Sequence, residues 1–115
     1  MSTKSLDLIR GTLDVLILKS LSDGPQHGYG VARWIHEETE GELQIEEGAL
    51  YPALHRLENR NWVSSSWGVT ENNRRAKYYR LTAKGEKHLE TEAERWTRYA
   101  NAVGRILQPT RQASQ

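Results

Sequence analysis

The 115-residue sequence has no cysteine and no long hydrophobic run. The lack of cysteine excludes disulfides, zinc fingers and thiol catalysis. The longest uninterrupted apolar run, at residues 15–18, is far too short to span a membrane, and residues 1–4 lead into no signal-peptide core. We therefore expect a cytoplasmic protein that has no membrane partner.

Catalytic and metal-binding patterns are missing as well. The histidines are His27, His36, His55 and His88, and no two of them show the i, i+4 spacing with an intervening glutamate that is typical of zinc hydrolases. The three serines at residues 64–66 lack the glycines of a nucleophile elbow. We therefore expect that the protein is not an enzyme and that it binds neither a metal nor a cofactor.

Charge is unevenly distributed along a chain that is long enough for one domain with a modest core. The net charge is only +1, yet residues 37–47 carry six Glu and no Lys or Arg, whereas residues 74–87 carry six basic residues against Glu86 alone. Clustered cations can attract phosphates even when the whole chain is nearly neutral. The basic region predicts a nucleic-acid-binding surface, and the acidic region is most simply a solvated face that points away from DNA.

Apolar residues at helical spacing predict three helices in the first half of the chain. The first spans residues 6–21, the second spans residues 27–40, and the third begins between residues 47 and 50, because proline at Pro52 is tolerated without damage only in a first turn. The apolar row of the second helix comprises Tyr29, Ala32 and Ile35. Residues 43–45 alternate between apolar and polar, which predicts a very short strand.

A hairpin is predicted after the third helix, which Asn61 is expected to stop in a left-handed conformation. Val63, Ser65, Trp67 and Val69 fall on one face of a period-two strand, and residues 77–81 form the returning strand. Between the strands lies a long tip rich in turn-forming and charged residues.

A long last helix follows, for which Thr82 is a candidate N-cap. Its apolar residues recur at alternating spacings of four and three: Leu89, Ala93, Trp96, Ala100, Val103 and Leu107. We call this row of six residues the seam. No other part of so short a chain needs an apolar row of that length, so we expect the seam to pack against a second subunit and to form a homodimer.

Three helices followed by a hairpin is the order of a winged helix-turn-helix. Three groups of residues add to this order: His27, Gly28 and Tyr29; Leu50, Tyr51, Pro52, Leu54, Arg56, Leu57 and Glu58; and Arg75 with residues 77–82. Through these groups the sequence resembles the PadR family of bacterial transcriptional regulators between residues 6 and 107. Asn61 stands where the family usually has glycine, and it tolerates the same positive φ. Trp62 is bulkier than usual beside that stop.

The fold expected from this order and resemblance is mainly α with a small β-hairpin, a winged helix-turn-helix plus a long C-terminal dimerisation helix. Residues 1–81 form the DNA-binding domain, residues 82–107 the dimerisation helix, and residues 108–115 a disordered tail. In a winged helix-turn-helix the third helix enters the major groove and the wing touches the neighbouring backbone.

Candidate contacts to double-stranded DNA lie on the third helix and on the wing. With Leu50, Leu54 and Leu57 facing the core, the outer face is left to Ala49, Tyr51, Pro52, His55, Arg56 and Asn59. The resemblance implies that Arg56 or His55 reaches a guanine or a phosphate and that Tyr51 bonds a phosphate. The alternative is that Arg56 belongs to a solvated salt bridge and Tyr51 to the edge of the core.

The cations Arg74, Arg75 and Lys77 are expected to contact phosphates, because a bare loop gains nothing from clustered charges that repel one another. On the long helix, the resemblance implies that a flat aromatic ligand could stack on Trp96 in the space beside Ala93 and Ala100. The plainer alternative is that Trp96 fills the dimer core.

The function expected is therefore that of a homodimeric transcriptional repressor that binds a near-palindromic operator, with possible relief by a small aromatic ligand. Two alternatives stay open at this point. One is a winged-helix module that binds an acidic protein, and the other is a small metal-dependent hydrolase.

Overall fold

The computed structural model describes residues 11–108, in which four helices and three strands follow one another. They are α1 (Thr12–Ser20), β1 (Gln26–His27), α2 (Gly28–Glu38), α3 (Glu47–Asn59), β2 (Val63–Val69), β3 (Arg75–Leu81) and α4 (Ala83–Leu107). The predicted mainly helical fold, with a hairpin before a long last helix, is confirmed. The predictions for residues 6–10 of the first helix and 109–115 of the tail lie outside the described residues. Within residues 11–108 no helix combines the length and the apolar character that a membrane span requires.

The hydrophobic core lies between α1, α2 and α3, and side chains of β2 and β3 complete it. Its largest fully buried side chains are Ile17, Leu18, Val31, Ile35, Leu50, Leu54, Leu57 and Val63. The prediction that Tyr29 belongs to the apolar row of α2 is wrong, because its side chain is 66 % exposed. The buried side of α2 runs through Gly28, Val31 and Ile35, and each step along a helix turns the side chain by about 100°.

The start of α3 falls at Glu47, within the predicted interval. Pro52 nevertheless lies in the second turn of the helix, deeper than expected. Because proline has no amide hydrogen, it cannot donate to the carbonyl of Gly48, four residues earlier. The exposed N-terminal half of α3 is therefore held by one helical hydrogen bond fewer than a regular helix.

The end of α3 is the left-handed stop predicted at Asn61, which has a φ of 64°. This conformation lets the Trp62 amide donate to the Leu57 carbonyl at 3.0 Å and the Asn61 amide donate to the Glu58 carbonyl at 3.0 Å. The chain thereby reverses within two residues and enters β2.

The sheet has the order β1-β3-β2, and all its pairs are antiparallel. Strand β1, which pairs Gln26 with Tyr79, is too short to show any periodicity in the sequence. The strand predicted at residues 43–45 is reduced to an isolated β-bridge at Leu43, and the rest of this segment is part of the loop between α2 and α3. The Leu43 amide donates to Thr39 Oγ1 at 3.1 Å and Ile45 is buried, so the alternation there marks a loop anchored to the core.

The hairpin pairs β2 with β3 from Val63–Leu81 at its base to Val69–Arg75 at its end. The alternation predicted for β2 holds at its base, where Val63 is buried, but Trp67 and Val69 are 61 % and 63 % exposed. The reason is that the hairpin continues beyond the core that would cover them. We call its projecting part, residues 67–77, the wing.

The start of α4 is fixed to the corner between α3 and β2. Thr82 is the predicted N-cap: its Oγ1 accepts from the Gly85 amide at 2.9 Å and donates to the Asn61 carbonyl at 2.7 Å. The Thr82 amide also donates to the Trp62 carbonyl at 3.1 Å. Gly85 lies so close to the Trp62 carbonyl that a Cβ atom would collide with it. Only glycine permits this approach.

Aromatic contacts reinforce the same corner. The rings of Trp62 and His88 stack with their centres 3.6 Å apart and 11° between their planes, and the Arg60 guanidinium lies 5.2 Å from the centre of the indole. Leu89 is half-buried against the core, so the first residue of the predicted seam also has a contact within its own chain.

We predict that Gly85→Ala destabilises the fold, by about 2–3 kcal/mol, because the new methyl group meets backbone that cannot move aside. The measurement is urea unfolding followed by circular dichroism. The control is Gly48→Ala in α3, where nothing lies within 4 Å of an added Cβ; its stability should stay the same or rise by up to about 1 kcal/mol. Equal stability of the two variants would contradict the close approach of α4.

Candidate nucleic-acid interface

The face of α3 opposite the core carries no Asp, Glu, Lys or Arg. It consists of four exposed residues, Gly48, Pro52, His55 and Asn59. Two of the predicted DNA-binding residues, Pro52 and His55, therefore lie on the outermost face. Ala49 and Arg56 lie on the flank next to α1, and Tyr51 lies on the flank next to α2.

Arg56 is held by an acidic partner on α1. Its Nη2 donates to Oδ1 of Asp14 at 2.7 Å, and both side chains are partly exposed. The salt bridge that the sequence left open as an alternative is thus present, and its partner lies 42 positions away in the chain. Surface ion pairs contribute only about 0.2–1 kcal/mol, so an arriving phosphate could replace Asp14 at little cost.

Tyr51 fills the angle between α3 and α2. Its ring lies against Gly28, where a Cβ atom would stand 2.7 Å from the ring carbon Cε1 and from the hydroxyl oxygen. The side chain is still 46 % exposed. Tyr51 therefore sits at the edge of the core with its outer part accessible, and Gly28 is the residue that lets its ring approach.

The wing presents its cations around a tight turn. Arg74 and Arg75 are exposed, and the Arg75 guanidinium lies over the Trp67 ring, 4.6 Å from its centre. The turn is closed by the Thr70 amide, which donates to the Arg74 carbonyl at 2.8 Å, and Asn73 provides a positive φ of 63°. The third predicted cation, Lys77, lies nearer the base of the wing.

Glu58 joins α3 to both strands of the hairpin. It accepts a hydrogen bond from Ser65 Oγ at 2.6 Å and lies 3.6 Å from Lys77 Nζ. Burial raises the pKa of the neighbouring Tyr79 phenol, and the charges of Glu58 and then of Tyr51 add to the rise. Tyr79 therefore stays neutral at physiological pH. Through its contacts with both strands, Glu58 sets the position of the hairpin relative to α3.

An open groove of about 1180 Å³ separates the wing from the N-terminal part of α2, and Tyr51 lies in it. The charged side chains that line it are Arg33, Glu37, Glu71, Arg74, Arg75 and Lys77. Glu37 forms an ion pair with Arg33 at 3.7 Å. The groove has an excess of positive charge, and that charge is concentrated on the wing side.

Two exposed aromatic residues of this groove were missed as candidate contacts by the sequence reasoning, Tyr29 and Trp67. Arg33 lies 5.9 Å from the centre of the Tyr29 ring. The signal that could have identified Tyr29 is its place directly after Gly28 at the start of a helix. Trp67 is marked by being a large aromatic residue within a strand of serine and glycine.

The predicted seam of α4 is largely uncovered within the chain. Ala93, Ala100 and Leu107 are exposed, whereas Trp96 and Val103 are half-buried. The apolar face is also broader than predicted, because two further exposed residues border it. They are Tyr99, whose ring centre lies 5.7 Å from that of Trp96, and Ile106, which is 83 % exposed.

Among residues 11–108 no group of three or more His, Cys, Asp or Glu side chains is arranged to hold a metal ion. The acidic residues predicted to form a solvated face, at residues 37–47, are exposed at all six Glu positions. They lie at the end of α2, in the loop that leads into α3, and at the first residue of α3.

Comparison with known proteins gives one consistent result. The sequence model that describes the transcriptional regulator PadR-like family matches residues 17–91, which is more than half of the chain. A transcriptional regulator from Clostridium thermocellum is similar at 33 % identity and a TM-score of 0.76, with 87 % of this chain and 97 % of that chain covered. A PadR family transcriptional regulator from Eggerthella lenta is similar at 32 % identity and a TM-score of 0.71, with 85 % and 83 % covered. An uncharacterized protein from Lysinibacillus sphaericus is 28 % identical over 102 residues, which is 89 % of this chain and 94 % of that protein.

We predict that the Arg56–Asp14 ion pair stabilises the free protein only weakly. A double-mutant cycle with Asp14→Ala, Arg56→Ala and both together should give a coupling energy of about 0.2–1 kcal/mol that shrinks as salt is added. Denaturant unfolding measures it. A coupling energy that is large and insensitive to salt would mean that Arg56 is committed to α1 and is not available to a ligand.

Proposed function

Because the chain belongs to the PadR-like family of transcriptional regulators, we propose that it binds double-stranded DNA as a homodimer and represses transcription from a near-palindromic operator. A member of this family is a transcriptional regulator and not an enzyme. Binding to an operator, dimerisation and repression do not follow from the family assignment alone and are part of our proposal.

The observation that carries the proposal is that Tyr51 of α3 and the cations of the wing line the same groove. The outermost face of α3 has no acidic residue to repel phosphates, and the wing cations line the groove beside Tyr51. A helix of this kind fits the major groove of B-DNA, and a wing beside it reaches the adjacent backbone. In this arrangement His55 and Arg56 read bases or phosphates, while Arg74, Arg75 and Lys77 hold the backbone.

Dimerisation is proposed from the uncovered apolar face of α4. The helix has 25 residues, a length of about 37 Å, and Gly85 is its only fully buried residue among those described. A second copy would cover the face that runs from Leu89 to Leu107. In our proposal residues 1–81 bind DNA, residues 82–107 dimerise, and the two α3 helices meet half-sites about 34–36 Å apart, one turn of the duplex.

A small flat aromatic ligand is proposed for the same dimer face. Trp96 is half-buried, has Tyr99 beside it, and is flanked along the seam by the small residues Ala93 and Ala100. Small residues beside a large ring leave space next to the indole, in which an aromatic ligand could stack. Such a ligand changes DNA binding only by as much as it prefers one arrangement of the two α4 helices over another.

We predict that Arg75→Ala lowers the slope of log affinity against log salt by about 0.9 per subunit, because one phosphate contact is lost and its counterion is no longer released. Fluorescence anisotropy with a labelled duplex measures the slope between 50 and 200 mM salt. Arg98→Ala removes an equal charge from an exposed position on α4 and should leave the slope unchanged. The same change in both variants would show that only the net charge matters.

We predict that Ala100→Glu breaks the dimer, weakening association by at least about 100-fold, because the interface would bury a carboxylate without a partner. The matched control is Asn101→Glu, since this neighbouring residue is equally exposed in the single chain but points about 100° away from Ala100, off the apolar seam. Analytical ultracentrifugation of the wild type and both variants gives the answer. Wild type sedimenting as a monomer at micromolar concentration would refute the proposed dimer directly.

A further inference from the structure

Trp67 is an exposed indole with a defined position on the inner side of the wing. It is 61 % exposed and borders the groove between the wing and α2. Its partner in the hairpin register is Lys77. The Arg75 guanidinium lies 4.6 Å from its ring centre, so a cation covers one part of the indole. The rest of the ring faces the groove.

The fold itself does not explain this indole. Trp67 lies outside the buried core cluster, and a smaller residue would serve the ladder between β2 and β3 equally well. Val69, two residues further along the same strand, is exposed to the same extent but does not line the groove. What sets Trp67 apart is therefore its place in the groove, next to the cations.

The chemistry of the groove selects the partner. A surface that combines a flat apolar ring with nearby cations fits a ligand that alternates apolar and anionic groups. The deoxyribose-phosphate backbone has this alternation, and the positive excess on the wing side of the groove complements its charge. Tyr51 of α3 lies in the same groove, so a strand leaving the major groove beside α3 would pass Trp67.

We propose that Trp67 is a DNA contact: its indole packs on a deoxyribose of the strand that passes between α3 and the wing, while Arg75 pairs with the adjacent phosphate. This inference rests on the proposed DNA-binding function and adds a non-ionic contact to it. The contact is independent of sequence, because every nucleotide presents the same sugar. Burial of the ring displaces water and releases no counterion, so its contribution does not vary with salt.

The experiment compares Trp67→Ala, Trp67→Phe and Val69→Ala with the full-length wild type. Affinity for a selected duplex and for a scrambled duplex is measured by anisotropy between 50 and 200 mM salt. Trp67→Ala should weaken binding about tenfold on both duplexes with an unchanged salt slope, Trp67→Phe should recover most of the loss, and Val69→Ala should bind like wild type. The change in tryptophan emission on adding DNA should be smaller in Trp67→Phe. Circular dichroism checks that all the variants are folded.

Three outcomes would overturn the inference. If wild type binds DNA and Trp67→Ala binds equally well, the indole makes no contact. If the salt slope falls by about 0.9 in Trp67→Ala, the ring only positions Arg75. If the loss appears on the selected duplex alone, Trp67 reads bases and does not pack on the backbone. In each of these cases wild type still binds DNA, so the proposed function survives; if wild type binds neither duplex at any salt concentration, both fail together.

Discussion

The corner where α3 ends, β2 begins and α4 starts determines how the parts of this molecule are oriented. The left-handed Asn61 turns the chain, and its carbonyl then accepts from Thr82 Oγ1 while the Trp62 carbonyl accepts from the Thr82 amide. Gly85 is required next because α4 passes directly over Trp62. One small cluster of contacts, most of them to backbone atoms, thus fixes the end of α3, the base of the hairpin and the direction in which α4 leaves. A change in the angle of α4 would be transmitted to α3 through the contacts of this corner.

A second connection sets the wing against α3. Glu58 accepts a hydrogen bond from the Ser65 hydroxyl and lies beside Lys77, so one carboxylate contacts both strands of the hairpin. The pair with Lys77 is partly exposed and contributes little to stability, but the hydrogen bond from Ser65 is short and holds the base of the hairpin in place.

The sequence predicts most of the fold because the elements that matter have clear local signals. Asn61 and Thr82 mark the limits of helices through local backbone chemistry, whereas Pro52 locates the start of α3 only to within a few residues. The errors have a common physical cause in contacts between distant segments. Tyr29 has helical spacing but lies outside the core, because Gly28 faces Tyr51, and β1 exists only because β3 offers it a partner. The candidate site follows the same rule: the Asp14 partner of Arg56 is 42 positions away and leaves no trace in the local pattern.

The charges of the candidate interface are partly balanced within the free protein. Arg56 is paired with Asp14, Lys77 with Glu58 and Arg33 with Glu37, whereas Arg74 and Arg75 have no acidic partner among the described residues. Binding a phosphate at a paired cation exchanges one ion pair for another, and the acidic side chain left behind then takes up a counterion. The net counterion release is therefore smaller than the number of cations at the interface suggests. In the proposed complex the rest of the affinity would come from contacts that carry no charge and from holding two α3 helices on one duplex, so the apolar face of α4 would contribute to DNA binding as well as the basic wing.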